Sequence, residues 1–404
     1  MTPPAPTRRE MLKQLSVLIA TAAIDMIGFA MVLPLLPFYA LRLQASPETI
    51  GLLIASYSVA QLATAPLWGR VSDRYGRRPA LLAGLIGSAI AYVVFAFAGS
   101  VWLLFASRVI QGAGGGTTGV AQAYVADTVG PRDRAQALGW LSAATSLGVM
   151  LGPVVGSLAH GLGAAAPGLI AAVLCLVNIG FAWKWLPESR KRTEGGQPRT
   201  AIWTAVSRVV SRPGTPVPRL IWIYAAGMLG FTAMTAVLAL FLDQRFGITE
   251  GTIGYFFFYV GLLSFVMRSV LLGPIVRRIG ERGAMRAGTV LLGLGLAAYP
   301  LAPNLWVLAL IIPLVPIGTA LLFPSTTALI SHNTKTADLG TTMGVAQTFA
   351  GMARVASPLI ATSAFQRFGE GMPFYVAAGI VAGVGVLAFR LPAAAGVPVE
   401  DPGG

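Results

Sequence analysis

The stretch Leu15-Ser-Val-Leu-Ile-Ala-Thr-Ala-Ala-Ile-Asp25-Met-Ile-Gly28-Phe-Ala-Met-Val-Leu-Pro34-Leu-Leu-Pro37-Phe-Tyr39 decides the fold. It holds one charged residue, Asp25, in a run long enough to cross the roughly 30 Å apolar core of a bilayer, which takes about 20 helical residues. A cleavable leader is the competing account, because Arg8, Arg9 and Lys13 precede the run. The run outlasts the apolar region of a leader, about 7–15 residues, and has no convincing small-residue cleavage site before the next loop. It is read as a first membrane helix.

Eleven similar runs follow, at 50–68, 80–98, 101–124, 135–158, 168–186, 220–242, 251–272, 286–301, 305–330, 339–362 and 373–391. The expected fold is therefore an all-α polytopic membrane protein with twelve crossings. Of 404 residues, 55% are hydrophobic and 11% charged, against roughly 25% charged in a soluble domain. That excludes a soluble globular enzyme, a disordered chain and a disulfide scaffold. Cys175 is the lone cysteine, and His160 and His332 stand without an acidic cluster, so no metal site and no cofactor are expected.

The formal net charge of +14 suggests a nucleic-acid partner until its placement is read. Alternate loops carry nearly all the basic residues, among them Arg70, Arg74, Arg77, Arg78, Arg132, Arg190, Lys191, Arg192, Arg199, Arg277, Arg278, Arg282, Lys335 and Arg390. The opposite loops hold Arg42, Arg245 and Arg367. Lys/Arg-rich loops face the cytoplasm, so both termini are expected there, in a cell inner membrane. The bilayer accounts for the charge; no nucleic acid is needed, and a monomer is expected.

The one long loop, 187–218, divides the chain into halves 1–187 and 219–404 joined by a linker at 188–218, within which 200–210 reads as a short amphipathic surface helix. The halves repeat. Gly69-Arg-Val-Ser-Asp-Arg-Tyr-Gly-Arg-Arg78 follows the second run, and Gly273-Pro-Ile-Val-Arg-Arg-Ile-Gly-Glu-Arg282 follows the eighth, 204 residues later. Gly152-Pro153 and Ser357-Pro358 are related similarly. Two parallel repeats imply a binding site between them near the midplane.

Gly69-x-x-x-Asp73-Arg74-x-Gly76-Arg77-Arg78 resembles the signature loop of the major facilitator superfamily. Arg108-Val-Ile-Gln111-Gly112-Ala-Gly114 resembles its helix-four motif, and Gly148-x-x-x-Gly152-Pro153-x-x-Gly156 the helix-five motif of its antiporter branch. Asp25-x-x-Gly28 with Pro34-Leu-Leu-Pro37 is similar to helix one of the twelve-helix drug/proton antiporters, tetracycline exporters included. The resemblance covers nearly the whole chain. It implies a latch at the signature loop that holds the halves shut on the inner side, with Asp73 near the start of helix eleven and Arg77 placed to pair with Asp127. In the second copy Arg277 replaces Asp73, which puts an equivalent latch there in doubt. Positive-inside anchoring accounts equally for the arginines taken singly. Gly148, Gly152 and Gly156 share one helix face, and close helix packing suffices to explain them physically.

Asp25 is the only acid well inside a run, about 15 Å of helical rise from Leu15. A carboxyl that meets water in one state and apolar surroundings in another exchanges protons; a structural ion pair or interhelical hydrogen bond is the alternative. Arg108 lies about 10 Å from it in depth by helical rise, so direct pairing stays open, and Gln111 is one turn further on. Arg354 is also deep, while Arg268 reads as snorkelling from the inner end of run eight. Tyr57, Gln61, Tyr255, Tyr259 and Gln347 are cavity candidates; packing or interface anchoring explains each equally well. Asp25 against Arg108 and Arg354 leaves one positive charge, which suits a neutral, zwitterionic or anionic amphipath. Gly114-Gly-Gly116-Thr-Thr-Gly119 mimics a dinucleotide fingerprint but follows no strand.

The expectation is a secondary active transporter that exports a small amphipathic compound or drug in exchange for protons by alternating access. Proton-coupled uptake or uniport of a metabolite is the nearest alternative, and a non-transporting receptor or assembly factor a more distant one. No enzyme is expected.

Overall fold

The computed structural model describes residues 8–115, 117–130, 134–189, 200–334 and 338–389. Gly116 and the basic residues Arg132, Arg190, Lys191, Arg192, Arg199, Lys335 and Arg390 lie outside the described residues, as does much of the linker.

The described chain is helical. The first half contains α1 (Arg8–Val32), α2 (Leu36–Arg42), α3 (Pro47–Tyr75), α4 (Arg77–Ala96), α5 (Val101–Gly114), α6 (Thr117–Thr128), α7 (Arg134–His160) and α8 (Ala166–Trp185). A linker helix, α9 (Thr200–Ser211), docks on the second half, where the Trp222 indole N–H donates to the Val209 carbonyl at 3.2 Å. That half contains α10 (Pro216–Phe246), α11 (Ile253–Val266), a π-helical turn (Met267–Leu271), α12 (Leu272–Ala298), α13 (Leu305–Ile311), α14 (Leu314–His332), α15 (Leu339–Phe368) and α16 (Met372–Phe389).

Nine of the described helices are long and apolar enough to cross a membrane. One of them, Ile253–Leu301, runs 49 residues and makes two crossings around the bend at Gly280. The pair α5/α6 crosses as a broken helix, and α15, diluted by its Thr, Gln and Arg residues, completes twelve. Helices outlast the apolar runs: α3 continues to Tyr75 and the eighth crossing to the Gly280 bend. Hydropathy records where lipid ends, not where hydrogen bonding ends. Arg268 therefore does not sit at a helix end, as the run 251–272 suggested, but inside the π-helical turn, well before the bend.

Breaks follow from proline and glycine. Pro34 separates α1 from α2, which carries Pro37 in its first turn, and Pro313 separates α13 from α14. Helix four parts at its glycine run, and α3 satisfies the carbonyls this frees: the Gln61 amide donates to Gly115 at 3.0 Å, the Thr64 hydroxyl to Ala113 at 3.2 Å, and the Trp68 indole also to Ala113. Irregular backbone at membrane depth requires such partners. Gly76 (φ 111°) and Gly280 (φ 71°) make the same turn at repeat-related positions.

Small residues set the packing. Cβ atoms added at Gly148, Gly152 and Gly156 of α7 would lie 2.6–2.7 Å from α1 backbone oxygens. The helix-five motif is thus the α1–α7 seam inside the first half. Gly288 and Gly318 close α12 on α14 similarly. Such faces allow backbone approach where no hydrophobic drive exists between helices in lipid.

Candidate functional site

The two halves meet along two seams, α3 with α15 and α7 with α11. Both are tight at the end opposite the 69–78 loop. A Cβ at Gly51 of α3 would stand 2.9 Å from the Pro358 carbonyl of α15, and one at Gly254 of α11 would stand 2.6 Å from the Pro153 carbonyl of α7. These are the same contact made twice by the repeat. Around it, the Ser157 hydroxyl accepts from the Gly254 N–H at 2.9 Å and donates to the Glu250 carbonyl at 2.7 Å. Arg42 pairs with Glu250 at 2.7 Å and Arg367 with Glu48 at 3.5 Å. Nearer the middle, a Cβ at Gly261 would meet Met150 and one at Gly351 would meet Leu62, again across the halves. Beyond, toward the Arg-rich end, Cβ atoms at Gly69, Gly139, Gly340 and Gly344 would touch nothing within 4 Å. A cleft between the halves opens at that end and is closed at the other.

Asp25 is half-buried in α1 and lines a cavity of about 40 Å³ within the first half, beside Thr21, Thr117, Thr118, Leu141 and Thr145. That volume admits water molecules but falls far below the roughly 300 Å³ of the smallest drug-sized pocket. It has no room for a bulky ligand.

Arg108 in α5 is 1% exposed, with Nε and Nη2 lacking hydrogen-bond partners. No ion pair joins it to Asp25 among the described residues; its guanidinium lies 6.0 Å from the Tyr57 ring centre instead. Gln111, one turn along, is 2% exposed and leaves both polar atoms of its side chain unpartnered. Tyr57 packs on Phe29 at 5.3 Å, and its hydroxyl lies in the field of Asp25, Arg108 and, from the other half, Arg354. Arg354 is half-buried on α15, with Gln347 exposed two turns nearer the open end. Tyr57 is thus the residue on which Arg108, in contact range, and the charge of Arg354 from the other half both act.

Gln61 serves the helix-four break and also donates to the Tyr57 hydroxyl at 3.2 Å, and Tyr259 donates to the Ala309 carbonyl at 3.1 Å within its own half. Tyr255 follows Gly254 at the closed end and is exposed. Sequence reasoning missed Ser157, whose position between Gly156 and a loop gives no signal, and the π-helical turn that carries Arg268 beside Tyr224. Tyr224 in turn meets Phe323 at 5.2 Å, an aromatic pair within the second half.

The 69–78 loop is knit within the first half. Arg77 binds Asp127 at 2.9 Å, and both Asp73 and the Ser72 hydroxyl at 2.8 Å. The Glu188 carboxylate accepts from the backbone N–H groups of Arg77 and Arg78 at 2.8 and 3.1 Å, capping α4 with charge that favours its N-terminus. Arg78 donates to the Trp183 carbonyl. Asp73 is 70% exposed at the open mouth, and Arg74 lies beside the Tyr75 ring.

Twelve crossings in two like-folded halves, joined at one end and parted at the other around a cleft with unpartnered charge, define a polytopic membrane protein built to move a solute. The family model for the Major Facilitator Superfamily matches residues 18–312 and 246–402, and the chain belongs to that superfamily. It is 31% identical over 355 residues to the class C tetracycline resistance protein of Escherichia coli, spanning 87% of this chain and 89% of that one. It is 28% identical over 340 residues to the class B protein of Escherichia coli, with 83% and 84% covered. The crystal structure of the human organic anion transporter MFSD10 (TETRAN) superposes with a TM-score of 0.69 at 24% identity, over 94% of this chain and 99% of that one. These relatives are transporters, not enzymes.

Proposed function

We propose that the chain is a proton-driven exporter of small amphipathic organic compounds, seated in a cell inner membrane with both termini in the cytoplasm. The bodies 1–187 and 219–404 rock about the linker 188–218, and the cleft described above is the inward-open state. Protons are the coupling ion and Asp25 their carrier, with Arg108 its electrostatic neighbour. The observation that carries this reading is the Asp25 carboxyl in a water-sized cavity with no ion-pair partner among the described residues, beside a cleft closed at one end. A carboxyl locked in a salt bridge has no reason to titrate during a cycle; an unpaired one at a wet boundary does. The relatives' names, tetracycline resistance and organic anion transport, support a small organic cargo. The Asp73 loop is the inner latch, disengaged in this state.

The driving force suffices, since 100 mV supplies about 2.3 kcal/mol per charge moved and each pH unit about 1.4 kcal/mol. The test uses proteoliposomes with an imposed pH gradient reported by a quenched dye. Tetracycline and 1-naphthoate serve as probe cargoes, each applied from the side that the inward-open cleft faces. Cargo-dependent collapse of the gradient is expected with the native chain and its loss with Asp25→Asn. Undiminished gradient-driven transport by the Asn variant overturns the assignment.

A further inference from the structure

Three arginines bear on the cleft, and the structure gives them little acid. Arg108 is buried with two unpartnered nitrogens. Arg354 is half-buried and makes no ion pair or hydrogen bond among the described residues. Arg268 stands in the π-helical turn with Tyr224 in its field. The acids of the second half among the described residues, Asp243, Glu250, Glu281, Asp338 and Glu370, all lie at helix ends or the Gly280 bend, so Arg354 and Arg268 have no described carboxylate of their own half at their level. A guanidinium stays charged at any working pH, and charge held inside a membrane span without a partner is costly. The walls beside these charges are aromatic: Phe29 with Tyr57 on one half, Tyr224 with Phe323 on the other.

We propose that the cleft contains an organic-anion site in which Arg354 takes the carboxylate of an aromatic acid whose ring lies toward Tyr57. This rests on the transport reading and narrows its cargo. A planar guanidinium binds a carboxylate through two parallel hydrogen bonds. The aromatic walls receive the apolar body, and Arg268 adds positive potential from the same half. Arg354 belongs to the second half and Tyr57 to the first, so one small acid touches both bodies, as a cargo must if its binding is to bias their rocking. The local sum of charge, three arginines against Asp25, opposes a cationic cargo.

The experiment is equilibrium binding to the purified full-length protein in nanodiscs, without a gradient. The probes are 1-naphthoate, 1-naphthylmethanol and 1-naphthylmethylammonium, which share a ring system and differ in charge. The naphthoate is expected to bind about tenfold tighter than the other two, the scale of a charge-assisted pair. Arg354→Gln should weaken it about tenfold while leaving the alcohol unchanged, and Arg354→Lys should recover part of the loss as a point charge. Arg268→Gln should weaken it less. If Arg354→Gln misfolds, the Lys variant alone must still bind naphthoate more weakly than the native chain. Equal affinity for the three probes, preference for the ammonium, no binding, or unchanged naphthoate affinity in the Arg354 variants overturns the proposal. A negative result counts against the anion site alone, whereas the gradient assay on Asp25→Asn counts against proton coupling alone.

Discussion

Glu281 and His332 meet at 3.1 Å in the second half, at the positions that Arg77 and Asp127 hold in the first, with the charges exchanged. Glu281 lies 204 residues after Arg77, and His332 lies 205 after Asp127. The first-half pair belongs to a network in which Arg77 also holds Asp73 and the Ser72 hydroxyl, whereas the second joins an imidazole to a carboxylate. His332 is 67% exposed, which limits the pair to roughly 0.5 kcal/mol. The expected outcome is a barely lowered melting temperature for Glu281→Gln. Arg77→Gln, which breaks several charge-assisted bonds, should cost about 2 kcal/mol. A loss for Glu281→Gln as large as that for Arg77→Gln would overturn the ranking of the two pairs.

The Gly51–Pro358 and Gly254–Pro153 approaches are the fulcrum of the closed end. A leucine at either glycine cannot fit without parting the halves there, because the Pro358 or Pro153 carbonyl stands in the way together with the Thr362 or Ser157 side chain. Gly254→Leu is expected to fold, since its Cβ meets the other half and not its own helix neighbours, but to populate an outward-open form. A cysteine in place of Thr362, buried against Gly51 in the closed end, in the Cys175→Ser background should then become reactive to an impermeant maleimide from the Glu250 side, and transport should fall to background. Normal transport by Gly254→Leu would show that the seam parts elsewhere.

Much of the architecture was written in hydropathy: the run around Asp25, the repeat at 69 and 273, and α9 near its expected bounds. What was not legible was set by contacts between halves. Ser157 looks like any small helical residue until Gly254 is placed opposite it. Arg268 read as a helix-end anchor because apolar runs stop where lipid does, while the hydrogen-bonded helix continues to Gly280. Reading Arg277 against Asp73 cast doubt on a latch in the second half and overlooked the inverted pair, whose members lie 51 positions apart in sequence, one in each of two helices. Gln61 and Tyr259 carried the polarity of cavity residues, yet the broken backbone of α5/α6 and the Ala309 carbonyl claim them.

Gln61 provides a direct contrast between support and recognition. Its amide donates to the Gly115 carbonyl where helix four parts, and also meets the Tyr57 hydroxyl at 3.2 Å. Gln61→Leu leaves that carbonyl unsatisfied and should cost roughly 1–3 kcal/mol. The expected result is a lower melting temperature with naphthoate affinity, measured below the transition, changed less than threefold. A large affinity loss in a fully stable Gln61→Leu protein would return Gln61 to the binding surface.

Arg42 and Glu250 close the halves with charge where Gly254 closes them with shape. Arg42 is 47% exposed and Glu250 15%, so solvent screens the pair and its worth is about 0.5–1 kcal/mol. That is enough to shift a two-state equilibrium two- to fivefold. His160 adds a second contact to Arg42 at 3.3 Å and takes a share of its charge. Arg42→Glu sets two carboxylates together and should favour parting of this end. Glu250→Arg sets two guanidiniums together and should do the same. Combining the two exchanges restores an opposite pair, so the double variant should return toward the native distribution, read as distances between spin labels on α3 and α15. Additive shifts, with no recovery in the double variant, would mean that the pair is incidental and that the glycine–carbonyl contacts alone hold the seam.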